Sequence, residues 1–242
     1  MKKIAIIVAM QSEFELVKNI FADCKGCFDC RGEKFLVPAL RGEISGNEVF
    51  LMKCGIGKVN AGVQTAEIIA AFQPDFVINT GVAGGIDKIL NVGDVVISEQ
   101  CAYHDVWCGE GSWGQIQGLP LFFDGDKTLI EICKDVACKV STIHFGLICT
   151  GDQFVTELSV LQQIKNNFPS ALAVDMESAA MAHVCFLRKT PFVSIRVISD
   201  SPCMEHDNLN QYFDFFKDAP KRTFGVLEKI LEKKFCCKIK NM

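Results

Sequence analysis

The amino-acid sequence predicts an α/β protein, a single domain over residues 1–242 built around a largely buried sheet. Short β-branched runs alternate with stretches of helical period along the whole chain. The segment from Ala173 to His183 changes period at its own centre: Leu172 and Val174 read as the end of a strand, while Ala180, Val184 and Leu187 fall on a helical face. The run from Phe192 to Ile198, broken only by Ser194 and Arg196, delivers Ser199 and Asp200 at a strand end. Two carboxylates, Glu177 and Asp200, thus sit where open α/β sheets collect ligands, and Arg196 lies inside one of the strands.

Composition supports this reading and excludes others. With 49% hydrophobic and 22% charged residues, the chain can fill a core. A net charge of −4, with no basic run longer than a pair, argues against a nucleic-acid surface. No apolar stretch approaches the ~20 residues of a membrane helix. The first apolar run ends at Met10, short for a signal peptide and with no small-residue cleavage site behind it, so a cytoplasmic protein is expected.

The elements follow in order. The run to Met10 reads as a first buried strand. Ser12 and Glu15 fit a capping box that opens a helix through Leu16, Val17, Ile20 and Phe21 and leaves Glu13 at its first position, where the helix dipole favours an ionised carboxylate. Residues 24–40 read as loop and a short strand, and Gly46-Asn47 as the turn of a hairpin. Gly55 to Gly62 opens a helix with Val59, Val63, Ala66, Ile69 and Ala70 on one face. It is neither phosphate motif: a Walker loop needs glycine at 52 and Ser or Thr at 59, and a dinucleotide fingerprint needs glycine at 60, where the chain has Met52, Val59 and Asn60. A strand over 75–80 runs into Gly81-Val82-Ala83-Gly84-Gly85, whose glycines let a ligand approach the backbone. After a strand at 93–98, residues 106–120 read as a long irregular loop. Helices are expected over 127–140, 158–167 and 219–233, and a buried strand over 145–149.

Thirteen cysteines include Cys24, Cys27 and Cys30 in Cys-x-x-Cys-x-x-Cys, but the fourth ligand of an iron–sulfur run would fall on Lys34, and zinc would need a second pair. Reduced, mostly buried thiols are the expectation, with no metal.

Ala173-Val174-Asp175-Met176-Glu177-Ser178, followed by Val197-Ile198-Ser199-Asp200, resembles the motif pair of the nucleoside phosphorylase and hydrolase family, most closely its 5'-methylthioadenosine/S-adenosylhomocysteine nucleosidases. Gly55 to Ala61, Asn79 to Gly85, Tyr103-His104-Asp105 and Gly151-Asp152-Gln153-Phe154-Val155 are similar to the family's segments in the same order. The resemblance implies a three-layer α/β/α fold with a central mixed twisted sheet, adenine release by hydrolysis of an N-glycosidic bond, no cofactor, a small-molecule nucleoside as partner, and a homodimer. It also implies roles. Glu13 activates water, Asp200 donates a proton to the base with Ser199 orienting it, Glu177 holds the ribose, and Arg196 belongs to the catalytic set. Ala83, Gly84, Phe154, Val155 and Met176 contact substrate. Two departures stand out: Val82 replaces a common hydroxyl residue, and Asp175 stands where a longer Glu is expected.

Of the five arginines only Arg196 lies in a matched motif, so a phosphate cradle is hard to build, and Glu13 would repel phosphate by roughly several kcal/mol in a partly desolvated site. An aspartate at 200 suits a 6-amino purine. The alternatives are a phosphate-dependent purine nucleoside phosphorylase and a non-catalytic nucleoside-binding protein.

Overall fold

Strands and helices alternate from Lys3 onward in the computed structural model, which describes residues 1–21, 25–29, 38–137, 142–201, 208–218 and 225–233. The order is β1 (Lys3–Val8), α1 (Gln11–Lys18), β2 (Lys25–Asp29), β3 (Ala39–Ile44), β4 (Asn47–Lys53), α2 (Lys58–Phe72), β5 (Phe76–Gly85) and β6 (Val95–Tyr103). It continues with β7 (Phe123–Asp124), α3 (Lys127–Ala137), β8 (Ile143–Thr150), α4 (Leu158–Asn167), β9 (Ala171–Asp175), α5 (Ser178–Arg188), β10 (Phe192–Asp200), α6 (Asn208–Asp218) and α7 (Gly225–Leu231).

All the described strands join one mixed sheet. β1 lies between β4 and β5, parallel to both, and β3 and β2 continue the β4 side antiparallel. On the other side the sheet closes on itself: β5 pairs with β10, β10 with β6, β6 with β8, β8 with β9, and β9 returns to β5 at Gly84 and Gly85. This closure brings the ends of β5, β9 and β10 to one rim.

Why the strands read as continuous apolar runs is visible in β1. Ala5 and Ile7 pack into one core cluster with residues of α2 and α5, while Ile4, Ile6 and Val8 pack into a second with α1, α3 and α7. A strand covered on both faces has no polar side to alternate. A third cluster beside α4 includes Leu161, Ile164 and Phe168. Helices on both faces give the three layers. Among the described residues no helix is long and apolar enough to cross a membrane.

Several local expectations are corrected. Helix α1 starts one residue before Ser12, capped by the extended Met10, and Glu13 is its third residue rather than its first. A buried carboxylate needs donors, and Glu13 finds them in backbone amides that Glu15, exposed beside Lys18, lacks. The hairpin turn is Ser45-Gly46, both at positive φ, one residue before the predicted pair, as a two-residue turn with two left-handed positions requires. Gly81 to Gly85 lies within β5 and is not a loop after it. The face of α2 is also different: Ala61, Thr65, Ile68 and Phe72 are buried, whereas Val59 is 76% and Val63 49% exposed. That helix is apolar on most sides, so its period could not select the inward one. Helix α6 was not foreseen. The helix predicted over 219–233 is described at Gly225–Leu231, and that over 127–140 at Lys127–Ala137. The side chains of Cys24, Cys27 and Cys30 lie outside the described residues. Among the described cysteines Cys54, Cys101, Cys133, Cys149 and Cys185 are buried free thiols and Cys108 is exposed. Burial pushes the Cys133 thiol up to about 12.

Candidate active site

A cavity of about 390 Å³ opens at the rim where β1, β5, β9 and β10 end. Glu13, Ala83, Gly84, Phe154, Val155, Met176, Glu177, Ser199 and Asp200 all line it, which brings together every sequence-predicted residue except Arg196. Arg196 lies one layer deeper.

Glu13 is 1% exposed. Its Oε2 accepts the amides of Ala9 (3.0 Å) and Met10 (2.9 Å), and its Oε1 accepts that of Val82 (2.9 Å). The amides come from the end of β1, the cap of α1 and the middle of β5, so three elements fix one carboxylate. Burial pushes its pKa up, and the Arg196 charge and the three amides only partly oppose this. Gly81 makes the room. A Cβ there would lie 2.4 Å from Glu13 Oε1 and 2.6 Å from Arg196 Nη1.

Glu177 is the N-cap residue of α5 and is itself buried. Its Oε1 accepts the Gly57 amide (3.0 Å) and its Oε2 meets Arg196 Nη2 (3.3 Å). Burial is the largest influence on it and raises its pKa to about 7, with Arg196 opposing and the Asp175 charge adding to the rise.

Arg196 points inward from β10 and is spent on protein partners. Nε pairs with Asp175 Oδ2 at 2.8 Å, Nη2 donates to Asn79 Oδ1 at 2.6 Å, and Nη1 donates to the Val82 carbonyl at 3.3 Å. Burial alone would lower its pKa, but Asp175, Glu177 and Glu13 outweigh this and raise it. Asp175 is further held by Thr150 Oγ1 (2.5 Å) and by Ser178, so the shorter aspartate is fully used as the partner of the guanidinium. The residue both pairs with the arginine and lines the cavity, a double position that its place in the sequence did not reveal.

Asp200 is reached through an irregularity. β10 pairs Ile198 with Ala83 and then Asp200 with Gly84, so Ser199 is an extra residue that re-aims the strand end. Ser199 Oγ donates to Asp200 Oδ1 at 2.7 Å. Phe154, 40% exposed, and the buried Val155 also line the cavity.

Sequence reasoning missed Ala9, Met10, Ile56, Val82, Gln153, Val174 and Tyr212 as lining residues. Tyr212 comes from the unforeseen α6; its ring meets Phe154 edge-on at 5.4 Å, and its hydroxyl donates to Met10 Sδ at 3.1 Å. Burial, with the Glu13, Asp200 and Glu177 charges adding, raises that hydroxyl to about 12, so it stays a donor. Tyr212 spaced three from the buried Phe215 was a helical signal available in the sequence. The cavity is lined by carboxylates and apolar groups, and among its described lining residues there is no Arg, Lys or His. Among the described residues no cluster of His, Cys, Asp and Glu is arranged to hold a metal.

Residues 3–232 match the family model of the phosphorylase superfamily. The chain is 40% identical over 203 residues to the 5'-methylthioadenosine/S-adenosylhomocysteine nucleosidase of Haemophilus influenzae (strain PittEE), covering 82% of this chain and 86% of that protein. Its structure is similar to that of the Neisseria meningitidis nucleosidase in complex with methylthio-immucillin-A, with a TM-score of 0.87, 37% identity, and coverage of 96% of this chain and 99% of the other. It is also similar to a Borrelia burgdorferi structure bound to adenine, with a TM-score of 0.86, 34% identity, and coverage of 94% and 98%.

Proposed function

The chain belongs to the 5'-methylthioadenosine/S-adenosylhomocysteine nucleosidases of the phosphorylase superfamily, and on that basis we propose that it hydrolyses the N-glycosidic bond of 5'-methylthioadenosine, S-adenosylhomocysteine or both. The products are adenine and the 5'-thio-substituted ribose. One observation carries the hydrolytic reading: a buried glutamate faces a cavity whose described lining holds no cation. A phosphorylase must neutralise a phosphate, and Arg196, the one arginine beside the cavity among the described residues, already serves Asp175, Glu177 and Asn79.

The Phe154 ring stacks on the purine, and the Val155 backbone offers a donor and an acceptor to its edge. Glu177 and the backbone of Ala83 and Gly84 hold the sugar, with Met176 packed against it, and the Glu177 charge favours the oxocarbenium-like ribose as the C1'–N9 bond breaks. The bonding electrons move into the purine ring, and a carboxyl proton of Asp200, oriented by Ser199, is delivered at N7. Water adds to C1' as Glu13 removes its proton. Arg196 acts through Glu177 and Glu13, holding both carboxylates in place.

The outward apolar residues Val59 and Val63 of α2, and Phe186 (50% exposed) and Leu187 (59%) of α5, lie on two helices that pack together, and a second copy of the chain covering them accounts for their exposure. The homodimer is part of the proposed reading.

The test is adenine release from 5'-methylthioadenosine in phosphate-free buffer, with and without added phosphate. Release independent of phosphate supports the hydrolase; release that requires phosphate overturns it.

A further inference from the structure

Helix α2 has no cap of its own. Gly57, at φ 94°, precedes it, and no side chain from its own flank receives its first amides. Two distant carboxylates do so. Gly57 N donates to Glu177 Oε1 at 3.0 Å, and Lys58 N donates to Asp152 Oδ1 at 2.8 Å. One carboxylate belongs to the proposed ribose side of the cavity, and the other precedes Gln153, Phe154 and Val155 on the proposed base side. The positive end of a single helix therefore ties the two halves of the site together.

Lys58 closes a second ring around the base-side loop. Its Nζ bonds both oxygens of Asp105, at 2.8 and 2.7 Å, and lies 3.8 Å from Asp152 Oδ2. Asp105 Oδ2 in turn accepts the amide of Asp152 at 2.9 Å. The chain around these groups is cut to fit: a Cβ on Gly57 would stand 3.1 Å from Asp152 Oδ1, and one on Gly151 would stand 2.3 Å from the His104 ring and 3.0 Å from the Asp105 carboxyl. Loop and helix can approach this closely because both positions are glycine.

The charged groups are partly exposed, with 23% of the Lys58 side chain, 28% of Asp105 and 47% of Asp152 open to solvent. Pairs this exposed contribute little to overall stability. Their geometry, however, is multiple and mutual, and the segment they hold is the one that carries Phe154 and Val155.

We propose that Lys58, clamped between Asp105 and Asp152, is a positioning residue that sets the loop Gly151 to Val155 for a purine base. This rests on the reading of the cavity as a purine nucleoside site. The clamp should govern binding of the base far more than the chemical step, because Glu13 is held by three amides, Asp200 by Ser199, and Glu177 by Arg196 and a backbone amide rather than by the Lys58 side chain.

The experiment compares the full chain with K58M, D152A and K58R. Adenine affinity is measured by calorimetry, kcat and KM with 5'-methylthioadenosine, and thermal unfolding is followed alongside. In K58M and D152A the adenine Kd and the KM rise about tenfold, while kcat stays within about threefold. K58R, which can pair with both aspartates again, recovers most of the affinity. Raising NaCl to about 1 M shortens the screening length to about 3 Å and moves wild-type affinity toward that of K58M, which itself responds less. Unchanged adenine affinity in both variants overturns the proposal, as does a fall in kcat at constant KM. Should one variant unfold, the other decides. A wild-type chain that neither binds adenine nor releases it overturns the nucleosidase reading itself, and this inference with it.

Discussion

Glu13→Gln separates the chemistry of the buried carboxylate from its structural role. The volume is unchanged and the side chain stays among the same neighbours. What changes is hydrogen bonding and charge. Glu13 accepts three backbone amides, two at Oε2 and one at Oε1. Glutamine presents an oxygen at one end and an NH2 at the other, so it satisfies either the Ala9 and Met10 amides or the Val82 amide, never both. Turning its oxygen toward Ala9 and Met10 leaves Val82 N facing a donor, at a cost of about 1–3 kcal/mol for a buried unsatisfied group. Against this stands a gain. The pKa of Glu13 is raised because burial of the charge outweighs the amides and Arg196, and a neutral glutamine escapes that burial penalty. The two effects oppose each other, so the variant should unfold within about 2 kcal/mol of the parent.

Activity has no such compensation. An amide cannot accept a proton from water, and loss of a general base removes about 10²–10⁴-fold of rate. The expected result is a folded variant with kcat reduced by at least about a hundredfold and KM for 5'-methylthioadenosine little changed. The assay is adenine release in phosphate-free buffer, with thermal unfolding of both proteins in parallel. A variant that keeps activity within tenfold of the parent would show that Glu13 is not the base, and one that fails to fold would show that the three amides outweigh the relief of buried charge.

Further outcomes follow from the same network. Gly81→Ala places a methyl group against Glu13 Oε1 and Arg196 Nη1, both enclosed, and should abolish activity and lower stability by more than about 2 kcal/mol in chemical denaturation; a normally stable, active variant would mean that the two side chains shift freely. Glu177, held near 7 in the folded chain against 4.5 as its ordinary value, binds its proton more tightly when folded. Its contribution to stability is therefore full below about 4.5 and declines as pH rises through 7, by roughly 3 kcal/mol in all. Denaturation at pH 5 and pH 8 should show this fall, and Glu177→Gln should flatten it; an unchanged slope in the variant would assign the dependence elsewhere. Val63→Asp or Leu187→Asp, each on an exposed apolar position, should convert a dimer to monomer in analytical ultracentrifugation; a parent that sediments as a monomer would remove the second copy from the reading.

How legible the site was depended on what each residue needed. Glu177 and Asp200 could be placed because periodicity locates strand ends to within a residue or two: β9 runs one residue past the Val174 of the pattern and β10 two past Ile198, so Glu177 follows β9 and Asp200 is the last residue of β10. Glu13 was found through the family resemblance, but its position in α1 was misread, because the capping pattern Ser12 to Glu15 is local and the amide of Val82, from β5, is not. Tyr212 is different: the spacing of Tyr212 and Phe215 marks α6 as a helix, but that the helix brings Tyr212 to Phe154 and Met10 at the cavity is a long-range contact with no local signal. The outward face of α2 illustrates the limit of period itself, since apolar residues occur on nearly every side of that helix and only packing chooses among them.

Arg196 carries the largest difference between a sequence reading and a structural one. In the sequence Arg196 is the one arginine in a matched motif, and the resemblance places it in the catalytic set. The side chain is 1% exposed, and every nitrogen of its guanidinium meets a protein oxygen: Nε at Asp175, Nη1 at Val82, Nη2 at Asn79 and Glu177. Turning it toward an incoming phosphate would strand Asp175 and Glu177 as buried charges, at about 3–5 kcal/mol for breaking such a pair. The cation is thus spent on the buried carboxylates around it rather than on a phosphate. Its guanidinium also explains how Glu13, Asp175 and Glu177, three of the four buried carboxylates of the site, are accommodated, with Asp175 paired directly and the pKa values of Glu13 and Glu177 raised by burial yet restrained by its charge.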